Sequence, residues 1–193
     1  MQLDSFMDSV ICAVDEKKRF SLPTQHRHLF TEQELPSGRT HLVVLVPWFG
    51  GSVAAFSVTE WKHRLAKIRL LDDMTPDHLA ARRQLFPRIK FTHTDPEGRL
   101  TLAPEHLEWL RLPAKGKRKV MLTGADLYLE IWNADEWEEM QRTGQNPATR
   151  DAAHIQYDKL VEPFLRAARK EAETRGVTAS PPDNGADTKE DEG

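Results

Sequence analysis

A single cysteine, Cys12, among 193 residues excludes an intramolecular disulfide and a zinc site built on paired thiolates. So thiol-poor a chain fits a reducing cytoplasm. Long apolar runs are missing too. The longest, "LVVLVPWF" from Leu42 to Phe49, falls far short of the ~20 residues that cross a bilayer as a helix. The first ten residues, "MQLDSFMDSV", carry two aspartates and no basic residue ahead of an apolar stretch, so no secretory leader and no membrane partner are expected. Excess positive charge is also absent. The net charge of −3 argues against a broadly basic nucleic-acid binder but leaves room for binding through a few local sites, because salt screens charges on separated surfaces from one another.

The patterns of catalysis are lacking as well. No serine sits in a nucleophile elbow, Gly50-Gly51 stands alone rather than in a phosphate-binding loop, and Gly51-Ser52 has none of the surroundings of a self-processing barrel enzyme. Eight histidines, including "HRH" at His26–His28, do not form a His-x-x-x-His pair with a nearby glutamate. The expectation is no enzyme, no catalytic residue, no metal and no cofactor. The last sixteen residues, "TASPPDNGADTKEDEG" from Thr178, hold no aromatic or large aliphatic side chain and are read as a disordered acidic tail.

What the chain does contain, it contains twice. "VDEKKRFSLPTQHRHLF" (14–30) aligns with "TDPEGRLTLAPEHLEWL" (94–110) at an offset of 80, matching Asp15 with Asp95, Arg19 with Arg99, Leu22 with Leu102 and His26 with His106. "VAAFSVTEW" (53–61) aligns with "LEIWNADEW" (129–137) at an offset of 76, matching Phe56 with Trp132 and Trp61 with Trp137. Two matches in the same order with nearly the same spacing identify an internal repeat.

Each half predicts the same elements. "SVICAV" and "IKFTHT" alternate as half-buried strands. An Asp-x-x-x-Arg turn follows, then a short return strand ("FSL", "LTL"), and a helix opened by Pro23 or Pro104. A second strand pair comes next, "THLVVLV" with "AAFSV" and "RKVMLT" with "LYLEI". Ser57 and Asn133 each stand as an N-cap three residues before a glutamate, which starts a helix in both halves. A further helix begins at Thr75-Pro76, and "RRQLFPRIK" (82–90) reads as its basic, amphipathic continuation. Neither half is large enough to bury a good core alone, so interleaved strands sharing one core and closing into a barrel are expected. The expected divisions are 8–72 and 73–142 for the repeats, 143–177 for a helical extension and 178–193 for the tail.

The doubled turn carries the chemistry. "DPEGR" has Asp, Pro and Gly where a type I turn wants them, so the chain reverses and sets the arginine at an exposed tip. A guanidinium is a rigid fork suited to phosphate or to the O6/N7 edge of guanine. A bland surface ion pair is the alternative. In the first loop Lys18 replaces glycine; on the same backbone it would stand at positive φ under a strain of about 1–2 kcal/mol. Its ammonium and that of Lys17 suggest that the first loop contributes more to salt-dependent affinity. Trp61 and Trp137 are expected to pack on the barrel, and "KGKRK" (115–119) to form a solvated hairpin.

These stretches, with "VTEWKHRL" and "VMLTGADLYLEIWNADEW", resemble the MraZ family over about residues 8 to 142. The resemblance implies a mainly β fold with short α-helices: a tandem-repeat swapped-hairpin barrel of AbrB-like, double-psi type, plus the C-terminal helical extension. It implies a cytoplasmic, nucleoid-associated bacterial transcriptional regulator, a probable repressor, of the division and cell-wall gene cluster. Its partners would be double-stranded promoter DNA with direct repeats and further copies of itself in a ring, octamer-like in the family. Carried over by position, the DNA-facing residues are Asp15, Arg19, Asp95 and Arg99, and Lys17 and Lys18 join them on charge. Loop one sums to +1 and loop two to −1, so a single loop is a feeble ligand for DNA. A ring would compensate, since linking weak sites raises avidity by roughly 10²–10⁴-fold. The alternative is a protein-interaction module on the same fold that has lost DNA binding.

Overall fold

In the computed structural model of the chain, the described residues are 6–36, 38–69 and 76–144. The expected extension at 143–177, but for its first two residues, and the tail at 178–193 lie outside them, as does the helix start at Thr75. Fourteen elements order the rest: β1 (Ser9–Val14), β2 (Arg19–Ser21), α1 (Thr24–Arg27), β3 (Thr31–Leu35), β4 (Gly38–Pro47), β5 (Val53–Phe56), α2 (Val58–Arg69), α3 (Pro76–Leu85), β6 (Lys90–His93), β7 (Arg99–Thr101), α4 (Pro104–Trp109), β8 (Arg118–Gly124), β9 (Leu129–Asn133) and α5 (Ala134–Thr143). The fold is mainly β, antiparallel, with short helices, as expected of an AbrB-like chain.

The halves are interleaved. β1 of the first half pairs with β8 of the second, and β6 of the second half pairs with β4 of the first. Two pairings join equivalent strands: β2 with β7 and β5 with β9. In the first, Phe20 faces Leu100; in the second, Ala54 faces Glu130. Those partners differ by 80 and by 76, the two offsets at which the sequence repeats. A residue that faces its own repeat equivalent lies on a twofold axis, so a pseudo-dyad runs through both pairs. The hydrogen bonds obey it: the Leu22 amide donates to the Gly98 carbonyl at 3.0 Å and the Leu102 amide to the Lys18 carbonyl at 2.9 Å.

The main sheet runs β1-β8-β9-β5-β4, with β6 on the free edge of β4. The β2–β7 ribbon bridges its two ends, because β1 turns into β2 and β6 turns into β7. Inside the barrel so closed lie Phe20, Leu22, Val43, Leu45, Val53, Ala55, Leu100, Leu102, Val120, Leu122, Leu129 and Ile131, all buried. Alternation along β4 and β5 sends their other side chains outward, where Val44, Val46, Trp48, Ala54 and Phe56 form a second core with Trp61 of α2 and Leu85 of α3. The Arg64 guanidinium lies over the rings of Phe56, Tyr128 and Trp48, at 4.8, 5.1 and 5.5 Å from their centroids. The tryptophans pack as the repeat predicts: Trp61 meets Phe56 at 5.8 Å and Trp137 meets Trp132 at 5.5 Å.

The caps are as read. Ser57 Oγ accepts from the Glu60 amide, and the Asn133 side chain accepts from the Asp135 amide. Three local expectations need correction. Pro23 is the N-cap of α1 rather than its first residue, whereas Pro104 is the first residue of α4. Residues 82–90 are not one helix: α3 stops at Leu85, a 3₁₀ turn covers Phe86–Arg88 and β6 starts at Lys90. Finally, β3 extends the sheet beyond β5 along β4, pairing Thr31–Leu35 with Gly38–Leu42, where no strand was expected. The basic cluster at 115–119 closes its own loop, Arg118 donating to the carbonyls of Pro113 and Ala114.

The repeated histidines hold the chain to the barrel. His26 Nε2 lies 2.6 Å from the Met7 carbonyl and His106 Nε2 2.9 Å from that of Arg88. A carbonyl only accepts, so both rings carry their proton on Nε2, and both Nδ1 atoms are buried without a partner. Burial pushes the His106 pKa below its ordinary value. An unfolded histidine protonates near 6.5 while folded His106 resists, so below that pH the unfolded state binds more protons and stability rises with pH. The contribution is complete above about pH 6.5 and is lost as pH falls through the depressed value. His106→Gln, which keeps a donor for Arg88, is therefore expected to lose less melting temperature than the wild type between pH 7.5 and 5. His41, lowered mainly by burial as well, contributes equally to both proteins. Parallel slopes would contradict the assignment.

Candidate functional site

Both Asp-x-x-x-Arg loops have one geometry, and the dyad brings them to the same end of the barrel. In each, the aspartate carbonyl accepts from the amide three residues on, at 3.0 Å from Lys18 and 2.8 Å from Gly98. The aspartate amide in turn donates to the arginine carbonyl, at 2.8 Å in both. This is a type I turn closed by a left-handed residue, the three-residue hairpin loop with a bulge. Lys18 does stand at positive φ, 65° against 80° for Gly98, and bears the steric cost of about 1–2 kcal/mol that a left-handed side chain carries.

The aspartate does two jobs. One oxygen accepts from the arginine's backbone amide, at 2.8 Å in each loop, and fixes the turn. The other accepts from the guanidinium Nε, at 2.9 Å for Arg19 and 2.6 Å for Arg99, and aims the fork. Arg19 Nη2 lies a further 2.7 Å from Asp15, and its Nη1 reaches across the dyad to Asp95 at 3.6 Å. Arg99 instead takes Glu97 of its own loop at 2.8 Å. The side chains of Arg19 and Arg99 retain 24% and 33% exposure, so each is braced yet open to solvent.

The electrostatics follow. The guanidinium and amide of Arg19 hold the Asp15 carboxyl below the usual carboxylate range. Burial alone would raise Asp95, but the amide and guanidinium of Arg99 more than reverse that, and it too is lowered. Arg99 is raised by its hydrogen bond to Asp95. Both aspartates stay ionised, and the arginines stay aimed, throughout the neutral range.

A family model described as "MraZ protein, putative antitoxin-like" matches residues 86–159, which begins just before β6 and takes in the second loop. Three proteins named transcriptional regulator MraZ are similar to this chain over more than two thirds of its length. That of Herpetosiphon aurantiacus is 27% identical over 142 residues, covering 74% of this chain and 90% of its own. That of Shewanella amazonensis is 29% identical over 133 residues, covering 69% and 82%, and that of Escherichia coli K12 is 27% identical over 134 residues, covering 69% and 83%. The chain is thus similar to transcriptional regulators named MraZ. The structure brings together four of the six residues singled out from sequence, Asp15, Arg19, Asp95 and Arg99. Lys17 and Lys18 lie on the same tip without a carboxylate partner among the described residues. Arg27, which lies against the second loop, was missed: nothing in the sequence ties it to Gly98, whose α-carbon it covers.

Proposed function

We propose that this protein is a sequence-specific DNA-binding transcriptional regulator, with the paired loop tips as its DNA-facing surface. One observation carries the reading: two braced, half-exposed arginines sit side by side across a dyad, Arg19 Nη1 only 3.6 Å from the aspartate that aims Arg99. A fork held at both its turn and its Nε is preorganised for a base edge or a phosphate, so little rotamer freedom is lost on contact. The names of the curated relatives support regulation of transcription. The division into repeats 8–72 and 73–142, with DNA contacts from Asp15, Lys17, Lys18, Arg19, Asp95 and Arg99, belongs to this reading. So do a cytoplasmic, nucleoid-associated location and direct repeats at the promoter of a division and cell-wall gene cluster as the target.

Multivalency is part of the reading. One tip has almost no net charge, so useful affinity requires several tips on one assembly, a homo-oligomeric ring reading direct repeats. Ile11 and Phe91 support self-association. They are repeat equivalents, on β1 and β6, and are 57% and 60% exposed.

Fluorescence anisotropy with a direct-repeat promoter duplex tests this. Specific binding should exceed that to a scrambled duplex by about 10³-fold or more and weaken steeply with salt. Equal affinity for both duplexes would overturn it in favour of the protein-interaction module, and a monomer by light scattering would overturn the ring.

A further inference from the structure

Arg27 ends α1, and its Nε donates to the Leu22 carbonyl at 2.8 Å. Its guanidinium presses on the α-carbon of Gly98 so closely that a Cβ there would collide with Cζ, Nε and Nη1. Gly98 immediately precedes Arg99, so this guanidinium belongs to the second loop in space although it belongs to the first half in sequence. Arg19 and Arg99 are engaged by Asp15, Asp95 and Glu97, whereas Arg27 pairs with no carboxylate among the described residues.

The pseudo-dyad shows what this contact replaces. Gly98 corresponds to Lys18, and Arg27 corresponds to Leu107. Residues 18 and 98 share the same left-handed backbone, so a side chain on either projects in the same direction relative to its loop. In the second loop that direction is filled by the Arg27 guanidinium. In the first the Lys18 side chain leaves the backbone in that direction, and the repeat sets the uncharged Leu107 at the position equivalent to Arg27. Each loop thus has room for one cation beside its motif arginine, supplied either by the loop itself or from across the axis.

We propose that Arg27 is the phosphate-contacting cation of the second loop, and that positions 18/98 and 27/107 form an exchangeable pair. The inference rests on the DNA-binding reading above and extends it to a residue outside both motifs. Loop two's own side chains sum to −1, which a phosphate backbone repels; Arg27 cancels that charge at the loop itself. The expectation that the first loop dominates salt-dependent affinity then loses its basis.

The test uses the full chain and the direct-repeat duplex. Arg27→Gln should lower the slope of log affinity against log salt by about 1 per engaged site, and Arg27→Lys should retain it. Lys18→Gly should lower the slope likewise, and Lys18→Gly/Leu107→Arg, which installs the second loop's arrangement in the first, should restore it. A readout without DNA judges the shared volume: Leu107→Arg should depress the melting temperature with Lys18 present and much less with Lys18→Gly. A folded Arg27→Gln protein with the wild-type slope overturns the role of Arg27. Equal melting losses for Leu107→Arg in both backgrounds overturn the exchange. Failure of the wild type to bind the duplex at any salt overturns the DNA reading, and with it the phosphate contact, while the melting cycle still decides whether the two positions share one volume.

Discussion

Arg19→Ala and Arg99→Ala are each expected to abolish discrimination between the direct-repeat duplex and a scrambled one while leaving the fold intact. The loss comes from the fork. A bidentate arginine on a base edge contributes about 1–3 kcal/mol of discrimination, or roughly 5–150-fold per site, and copies in an assembly compound it. The fold survives because the turn does not depend on the guanidinium: Asp15 Oδ1 still accepts from the amide of residue 19, as Asp95 Oδ1 does from that of residue 99. What is removed is a half-exposed ion pair, worth about 0–1 kcal/mol. Arg19→Lys separates shape from charge, retaining non-specific binding without the discrimination. Lys17→Ala should do the reverse, reducing the salt slope and sparing sequence preference. Full discrimination by both alanine variants would remove the motif from the interface.

Most of the barrel was legible because its residues obey two rules that leave a trace in a linear chain. Burial alternates along β1, β6 and β8 and runs unbroken through the apolar half of β4, so these strands announce themselves. Duplication writes the same trace twice, so Asp15 and Asp95 point to each other, as do Phe56 and Trp132. The offsets 80 and 76 held more than similarity: they are the separations of Phe20 from Leu100 and of Ala54 from Glu130, the pairs on the axis.

What escaped does not repeat or does not alternate. β3, "TEQEL", is polar on both faces and nearly all exposed, and is held by its ladder to β4 rather than by burial. Its hairpin turns at Gly38, φ 115°, next to Pro96 of the second loop, a contact that only folding creates. Arg27 escaped for the opposite reason. It lies within a matched stretch, but its equivalent is Leu107, so the repeat gave no hint that it mattered. Its significance rests on a glycine in the other half of the chain. Departures from the repeat, Lys18 for glycine and Leu107 for arginine, compensate one another only in three dimensions.

The largest loss of stability is expected at the axis. Phe20 and Leu100 are 1% and 0% exposed and face each other at the centre of the β2–β7 ribbon. Truncating either leaves a cavity that the surrounding strands, tied into the closed sheet, cannot collapse to fill. Phe20→Ala should cost about 3–5 kcal/mol and Leu100→Ala about 2–5 kcal/mol, a large fraction of the 5–15 kcal/mol that holds a typical domain together. Thermal unfolding should show a drop of roughly 10 °C for either. The double variant should depart from the sum of the two by about 0.5–3 kcal/mol, because the side chains share one cavity. These substitutions also separate support from contact. The ribbon carries both loops, since Leu22 and Leu102 donate to the carbonyls of Gly98 and Lys18, so loosening it lowers DNA affinity together with melting temperature. Arg19→Ala lowers affinity alone. A Leu100→Ala protein that melts within a few degrees of the wild type would mean that the ribbon does not close the barrel, and that the two loops are held together by something other than the axis they straddle.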